Sequence, residues 1–222
     1  MRIRPLAILL ALACAVTLSA CGDDQTSGGG GETSGGDAGV TCQYPEDGSQ
    51  PAKAVDPPPE QATESGDVAV TIATSAGDVG ATLDAAAAPC TVNSFLSLAE
   101  QGYFDDTQCH RLTTQGIFVL QCGDPTGSGA GGPGYSFPDE LSGDESYPAG
   151  TLAMANAGPD TNGSQFFLVY DDTQLPPSYT VFGEIDQAGV DVVTKVAAKG
   201  TTNGSPDGPP ATEVKIESVT TD

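Results

Sequence analysis

Residues 154–167 read M-A-N-A-G-P-D-T-N-G-S-Q-F-F, and this stretch decides how the rest of the chain is interpreted. It shows neither a helical nor a strand period before its last few residues, and turn-forming residues crowd its middle. Side-chain amides hydrogen-bond to a peptide backbone, and the aromatic pair Phe166 and Phe167 offers an apolar wall. This composition indicates a surface that receives another polypeptide.

A second long motif, at residues 110–127, reads H-R-L-T-T-Q-G-I-F-V-L-Q-C-G-D-P-T-G. Together the two motifs resemble the signature segments of cyclophilin-type peptidyl-prolyl cis-trans isomerases, in which H-R and a short turn precede F-M-x-Q-G-G-D. The aligned positions are Arg111, Phe118, Gln121, Gly123 and Asp124, and V-F-G at residues 181–183 also matches. The segment between Arg111 and Phe118 is two residues longer than in the usual pattern. The resemblance covers essentially all of residues 65–222.

The pattern of predicted elements is compatible with the fold of that family. Alternating apolar residues predict strands near residues 68–72, 79–83, 108–112, 117–121, 151–155, 165–170, 180–185 and 214–216. One helix is predicted from residue 89 to a stop at Gly102, and a second over residues 189–198, before Gly200. Many short strands with two helices indicate a closed or nearly closed antiparallel barrel. The resemblance implies a mainly β fold, a closed eight-stranded antiparallel β-barrel capped by two α-helices.

The resemblance implies that Arg111 is the catalytic residue. In the family the planar guanidinium donates to the substrate proline nitrogen and to the neighbouring carbonyl group. Rotation about an X–Pro bond is opposed by amide resonance, with a barrier of about 18–20 kcal/mol. A hydrogen bond formed only in the twisted transition state lowers that barrier selectively, so we expect no nucleophile, metal or cofactor. Pairing with an acidic residue is the ordinary role of a strand arginine, but Arg111 lies within the matched motif.

The resemblance also implies a substrate-binding groove built from two kinds of residue. The residues expected to form the apolar pocket for the proline ring are Phe118, Val119, Phe167 and Leu175. The residues expected to hold the peptide backbone are Gln121, Ala155, Asn156 and Gln165. Tyr179 is expected to add an aromatic edge and a hydroxyl group.

Several positions depart from the family pattern. Val119 stands where methionine is usual, and Cys122 where the first glycine is. Gln174 stands where many members have tryptophan, and Tyr179 where many have histidine. The missing tryptophan predicts weak cyclosporin binding, whereas catalysis is expected to persist because Arg111 remains.

The N-terminus has the features of a lipoprotein signal peptide. Arg2 and Arg4 precede an uncharged run over residues 6–20, which is shorter than a membrane-spanning helix needs. The run ends in L-S-A-C at residues 18–21, which resembles the lipobox of bacterial lipoproteins. That resemblance implies a signal peptide over residues 1–20 and a lipid, such as palmitate, on Cys21. We expect an extracytoplasmic protein anchored to the bacterial cell membrane by this lipid alone.

Composition predicts a single folded domain behind a tether. Residues 21–64 contain few large apolar side chains, with G-G-G-G at 29–32 and P-P-P at 57–59, so they predict a flexible Gly- and Pro-rich tether. Residues 65–222 are sufficient for one core, the predicted isomerase domain. The formal net charge of −23 repels phosphate and argues against nucleic-acid binding. The expected partners are proline-containing segments of exported proteins, bound by a monomeric enzyme.

Four cysteines remain after Cys14 leaves with the signal peptide and Cys21 takes the lipid. They are Cys42, Cys90, Cys109 and Cys122. An even number outside the cytoplasm predicts two disulfides. The chain has no C-x-x-C pair and a single histidine, which argues against a zinc site.

Strand alternation leads to an expectation about the pairing. If Arg111 faces the groove, Cys109 on the same strand shares that face, while Cys122 on the neighbouring strand takes the other. A direct bond between those two cysteines is then disfavoured unless a bulge intervenes. We expect Cys42 to pair with one of them and Cys90 with the other.

Other functions are weaker on the sequence. Cys109 and His110 are adjacent, so a strand directs them to opposite faces, which argues against a Cys–His hydrolase and leaves His110 a structural role. Residues 127–132 fit G-x-G-x-x-G, but Pro133 follows instead of a helix, so this loop is expected to border the substrate groove. A non-catalytic proline-peptide-binding module or envelope chaperone is the main alternative, and the retained Arg111 favours catalysis. The absence of repeats argues against an adhesin.

Overall fold

The computed structural model describes residues 39–222, which form a mainly β domain with two helices. In chain order the elements are β1 (Val40–Thr41), β2 (Gln61–Ala62), β3 (Asp67–Thr74), β4 (Val79–Asp84), α1 (Pro89–Glu100), β5 (Thr107–Gln108), β6 (Arg111–Thr113), β7 (Val119–Cys122), β8 (Thr151–Met154), β9 (Phe166–Val169), β10 (Val181–Ile185), α2 (Gln187–Ala197), β11 (Asp207–Gly208) and β12 (Lys215–Thr221). The predicted signal peptide and the lipid anchor Cys21 lie outside the described residues. Within residues 39–222, no helix is long and apolar enough to cross a membrane.

Ten strands form one antiparallel sheet in the order β11-β6-β7-β9-β8-β10-β4-β3-β12-β5, and β1 pairs separately with β2. The sheet curls into a half-barrel. Its edge strand β5 ends at Gln108, and β6, the second strand from the other edge, begins at Arg111. The two residues between them hold the two ends of the sheet close together.

The closed eight-stranded barrel expected from the sequence is therefore corrected to an open sheet of ten strands. Over residues 39–222, no strand pairing joins β5 to β11. The physical reason lies at Cys109, where the predicted strand over residues 108–112 divides. The backbone N–H of Cys109 donates to the carbonyl group of Val214 (2.9 Å), whereas β6 pairs with β7 and β11.

Strand alternation gives the sheet two apolar faces. Leu120 and Phe166 face inward and pack with Phe95 of α1 in the main core. Their chain neighbours Val119 and Phe167 face outward and belong to a separate apolar cluster, which we call the outer cluster. Strand β9 reads F-F-L-V because both of its faces are covered.

Both helices are confirmed, and both contribute to the main core. Helix α1 begins with Pro89 in its first turn, where a proline costs no hydrogen bond. Its Phe95 ring lies 5.1–5.4 Å, centroid to centroid, from three other phenylalanine rings of the core. Helix α2 begins after Asp186, whose carboxylate accepts a hydrogen bond from the backbone N–H of Gly189 (2.7 Å). Val193 buries this helix against the sheet.

Residues 39–64 lie against the domain, which differs from the flexible tether that composition predicts. Cys42 is bonded to Cys90 at the start of α1. The Tyr44 ring packs edge-on against Tyr135 and Phe137, each at 5.6 Å. A disulfide and one aromatic anchor are enough to order a segment with little apolar surface of its own. We call residues 42–53, which begin at the disulfide cysteine Cys42, the strap.

The structure confirms two disulfides but shows that the expected pairing is wrong. Cys42 is bonded to Cys90, and Cys109 to Cys122. The alternation argument fails because Cys109 and Arg111 do not lie on one continuous strand. The break between β5 and β6 places Cys109 opposite Cys122, with their Cα atoms 4.0 Å apart.

We expect the double change Cys42→Ser with Cys90→Ser to lower the free energy of unfolding by about 2–4 kcal/mol, because the bond closes a long loop in the unfolded chain. Urea unfolding of the oxidised protein measures this loss. Peptide mapping without reductant should recover Cys42 joined to Cys90 and Cys109 joined to Cys122. Recovery of Cys42 joined to Cys109 or Cys122 would contradict the structure.

Candidate active site

Arg111 begins β6 and lies directly opposite Gln121 of β7, so the two side chains share one face of the sheet. The Arg111 side chain is half-buried, with 38% of its surface exposed. Its Nε and Nη2 atoms donate to the two carboxylate oxygens of Asp207, at 2.9 and 2.7 Å. Its Nη1 atom donates to Oε1 of Gln121 at 3.2 Å. Asp207 reaches this position because β11 pairs with β6.

The bidentate pair keeps both groups charged. The hydrogen bond that Arg111 donates to Asp207 raises the pKa of Arg111 above its ordinary value, and the same bond lowers the pKa of Asp207. Arg111 therefore acts as a hydrogen-bond donor and not as an acid. A guanidinium has five N–H groups, and three are engaged here. One N–H on each of Nη1 and Nη2 has no acceptor among residues 39–222.

A row of hydrogen bonds continues from Arg111 across the sheet. Nε2 of Gln121 donates to Oε1 of Gln165 at 2.9 Å. Nε2 of Gln165 donates to two carbonyl groups of the glycine loop, residues 127–132, both at 3.0 Å. We call Asp207, Arg111, Gln121 and Gln165 the arginine–glutamine row. Each side chain in it is oriented by the next.

Asp124 holds the glycine loop in place. It is fully buried, and its carboxylate accepts hydrogen bonds from the backbone N–H groups of Thr126, Gly129 and Gly131 at 2.7, 2.7 and 3.1 Å. Burial alone raises the pKa of Asp124, but these bonds and the Thr126 hydroxyl outweigh it and lower the pKa below its ordinary value. A side chain at Gly131 would bring Cβ within 2.0 Å of the carboxylate. The loop therefore lies at the end of the row, where its carbonyl groups accept hydrogen bonds from Gln165.

The outer cluster lies beside the row, because Phe167 of β9 is directly opposite Gln121 of β7. Five of the residues expected to bind the substrate belong to it, namely Val119, Ala155, Phe167, Leu175 and Tyr179. The rings of Phe167 and Tyr179 meet edge-on, with centroids 5.6 Å apart. Val119 and Phe167 are buried, so the sheet itself fixes the position of the cluster.

Phe118 is not brought into the outer cluster. Its ring packs edge-on against Tyr170, with centroids 5.9 Å apart, and Ile117 packs against the cluster instead. The longer segment before it forms a tight turn at Gly116, where φ is +80° and Gln115 bridges to Ile117. Strand alternation then places Ile117, with Val119, on the side of the outer cluster.

Tyr147 is a residue of the outer cluster that the motifs do not indicate. Its buried hydroxyl accepts a hydrogen bond from the Tyr179 N–H (3.0 Å) and donates to the carbonyl groups of Tyr179 and Pro176. Its ring lies 6.3 Å from that of Phe167. Tyr147 thus holds the loop that carries Leu175 and Tyr179 against the outer cluster. A single large aromatic in an otherwise polar stretch was the only sequence signal for it.

A groove of about 600 Å³ extends from the row. Gln121, Ala155, Asn156 and Gln165, the residues expected to grip the peptide backbone, all line it. Nδ2 of Asn156 donates to the carbonyl group of Ser178 at 2.8 Å, so this amide also fixes the loop against the outer cluster.

The Cys–His hydrolase alternative is excluded by the disulfide. Cys109 is bonded to Cys122, so it supplies no thiolate. Burial lowers the pKa of His110, which keeps the ring neutral at pH 7 beside the glycine loop. This placement agrees with the structural role expected for His110.

The chain is similar to known proteins over most of its length. The family model described as "Cyclophilin type peptidyl-prolyl cis-trans isomerase/CLD" matches residues 69–221. A Mycobacterium leprae protein named "Probable peptidyl-prolyl cis-trans isomerase B" is 52% identical over 199 residues, covering 83% of this chain and 68% of the relative. The Mycobacterium tuberculosis protein of the same name is 49% identical, with 83% and 65% covered, so this chain spans about two thirds of these relatives' length.

A solved structure also resembles the fold. It is a cyclophilin-type peptidyl-prolyl cis-trans isomerase of Cryptosporidium parvum, crystallised in the presence of the dipeptide Ala-Pro. The TM-score is 0.61 at 31% sequence identity, and the match covers 69% of this chain and 98% of that one.

The lowered pKa of Asp207 can be measured directly. We expect its carboxyl group to titrate below the ordinary value of 3.8 by NMR, because protonation breaks the bonds from Arg111. A depressed pKa means that the pair contributes stability above the unfolded-state pKa and loses it as the pH falls through the folded-state pKa. In Arg111→Ala the carboxyl group should return to its ordinary value. An unchanged titration in that variant would show that the pair does not form in solution.

Proposed function

The chain belongs to the cyclophilin-type peptidyl-prolyl cis-trans isomerase family and is an isomerase of X–Pro peptide bonds, and we propose that Arg111 carries its chemical step. The observation that supports this proposal is the pattern of hydrogen bonds that the Arg111 guanidinium group makes. Asp207 and Gln121 take three of its N–H groups, and one remains on each of Nη1 and Nη2. Two donors on one rigid plane suit two neighbouring acceptors on the substrate, the proline nitrogen and a carbonyl oxygen.

The proposed step is a transition-state hydrogen bond. In planar X–Pro the nitrogen lone pair is delocalised into the carbonyl group and accepts no hydrogen bond. As the bond twists, the nitrogen becomes pyramidal and its lone pair becomes available to a donor. A donation from Arg111 that exists only in the twisted state stabilises that state and not the ground state. No proton leaves the arginine and no covalent bond forms or breaks, so the guanidinium is unchanged after each turnover.

The surrounding contacts keep the donor in place before the reaction. A free arginine side chain would have to be ordered at the moment of reaction, which costs conformational entropy. Here Asp207 and Gln121 hold the guanidinium in advance, and Gln165 and the glycine loop hold Gln121. Such preorganisation is a major source of transition-state stabilisation in enzymes.

In this proposal the outer cluster holds the proline ring. The cluster is apolar, lies on the same face as Arg111, and is walled by Val119, Phe167 and Tyr179. The groove lined by Gln121 and Gln165 takes the flanking backbone. The ring is then fixed while the preceding carbonyl group rotates.

We also propose that the protein acts on exported polypeptides from outside the cytoplasm, anchored by a lipid on Cys21. The two disulfides support this location, because such bonds persist in oxidising compartments. The lipobox resemblance of residues 18–21 supports the anchor. The strongly negative net charge favours polypeptide clients over nucleic acid.

The catalytic proposal is tested by cis–trans exchange of an X–Pro peptide. We expect Arg111→Ala to lower kcat/KM by about 10²–10³-fold, the range found when one preorganised donor is removed. Arg111→Lys, which keeps the charge but loses the planar fork, should recover only part of the rate. Circular dichroism checks that both variants are folded. Equal rates for the wild type and Arg111→Ala would refute this role for Arg111.

The anchoring proposal is tested with the full chain expressed in a bacterial host. We expect the wild type to sediment with membranes and to incorporate labelled palmitate, and Cys21→Ser to lose both properties. Cys14→Ser is the matched control, since Cys14 lies in the apolar run just before Cys21 and this variant should behave as the wild type. Palmitate incorporation by Cys21→Ser would place the anchor elsewhere.

A further inference from the structure

The strap borders the groove that leads from the active site. The Asp47 N–H donates to the carbonyl group of Gly134 at 3.2 Å, and the Ala52 N–H donates to that of Gly132 at 2.8 Å. The strap therefore runs alongside the end of the glycine loop, the same loop that Gln165 contacts.

The strap is held at both of its ends. Cys42 is bonded to Cys90, and the Tyr44 hydroxyl donates to the carbonyl group of Cys90 at 2.7 Å. At the other end, the Lys53 ammonium group donates to the carbonyl group of Asp105 at 3.1 Å. The middle of the strap is thus a fixed wall of the groove.

Asp47 places a negative charge on this wall. Asp47 and Ser49 line the groove together with Gln121 and Gln165. Oδ1 of Asp47 accepts hydrogen bonds from both the N–H and the hydroxyl group of Ser49, at 2.7 and 2.6 Å, which orients the exposed carboxylate. Among the groove residues that the structure describes, Asp47 is the only one that is charged at pH 7.

We propose that Asp47 determines substrate preference, by favouring lysine or arginine over glutamate or aspartate in the polypeptide segment that flanks the X–Pro bond. This inference rests on the proposed function, because Gln121 and Gln165 place the groove next to the position proposed for the proline. A cationic side chain in the groove lies near the carboxylate, whereas an acidic one is repelled by it.

This preference is a property of the strap and not of the family domain. The family match begins at residue 69, after the strap. The match to the Mycobacterium leprae relative covers 83% of the chain, more than the span of residues 69–221, so it extends into the segment before residue 69. Near relatives of this kind provide a natural comparison for the same preference.

The size of the effect follows from the exposure of the carboxylate. Exposed ion pairs change an equilibrium by up to about fivefold, so we expect a two- to fivefold change in the ratio of kcat/KM for lysine and glutamate peptides. The ratio should shrink at high ionic strength, because salt screens charges more than about 10 Å apart at 0.1 M and weakens exposed pairs. The net charge of −23 adds a general preference for cations, which a control must separate from Asp47.

The experiment uses X–Pro peptides that are identical except for lysine, glutamine or glutamate placed two residues before or two residues after the proline. The ratio of kcat/KM for lysine and glutamate is measured for the wild type, Asp47→Asn, Asp47→Lys and Glu46→Gln. Glu46 is the matched control, since it is an exposed strap carboxylate that does not line the groove. We expect the ratio to fall in Asp47→Asn, to fall further in Asp47→Lys, and to stay at the wild-type value in Glu46→Gln.

The outcomes separate this inference from the proposed function. If the wild type turns over the glutamine peptide and Asp47→Asn leaves the ratio unchanged, the inference is overturned and the isomerase mechanism stands. If Glu46→Gln lowers the ratio as much as Asp47→Asn, the preference comes from the general field, and the inference is again overturned. If the wild type accelerates none of the peptides, both the proposed function and the inference are wrong.

Discussion

The antiparallel register of the central strands is the constraint on which the site depends. Arg111 lies opposite Gln121, Gln121 opposite Phe167, Phe167 opposite Ala153, and Ala153 opposite Val181. One straight line across five strands therefore runs from a cationic donor through an amide to an apolar surface. A slip of one residue in any strand would turn its member of this line into the core. The neighbouring positions bury their side chains in the main core, so burial itself fixes the register that places the donor beside the outer cluster.

Segments next to these strands hold the residues of the arginine–glutamine row in place. Strand β11 contributes Asp207 to Arg111, and the buried carboxylate of Asp124 folds the glycine loop against Gln165. The strap then lies on the far side of that loop, held by the Cys42–Cys90 bond. A continuous set of contacts thus runs from the Cys42–Cys90 disulfide through the strap and the glycine loop to the arginine–glutamine row. It ends at the guanidinium group of Arg111. This arrangement suits the non-covalent step that we propose for Arg111.

The sequence predicts the parts of the site that depend on local pattern. The two motifs identify Arg111, Gln121, Val119 and Phe167, and both helices follow from apolar spacing and from proline or glycine at their ends. Prediction fails where a contact depends on distant segments. Asp207 lies 96 residues from Arg111 along the chain, and no local signal distinguishes it from the other acidic residues. The strand break at Cys109 reverses the alternation on which the disulfide expectation depended, and a longer turn exchanges Phe118 for Ile117.

In the proposed mechanism Arg111 stays bonded to Asp207 and Gln121 while its two remaining N–H groups serve the substrate. A crystal structure of this protein with a bound Ala-Pro peptide would show whether it does. We expect the proline ring to lie against Val119 and Phe167, with an Nη atom of Arg111 within hydrogen-bond distance of the X–Pro bond and both bonds to Asp207 intact. A proline bound away from the outer cluster, or an Arg111 that leaves Asp207 to reach the peptide, would contradict the proposed mechanism.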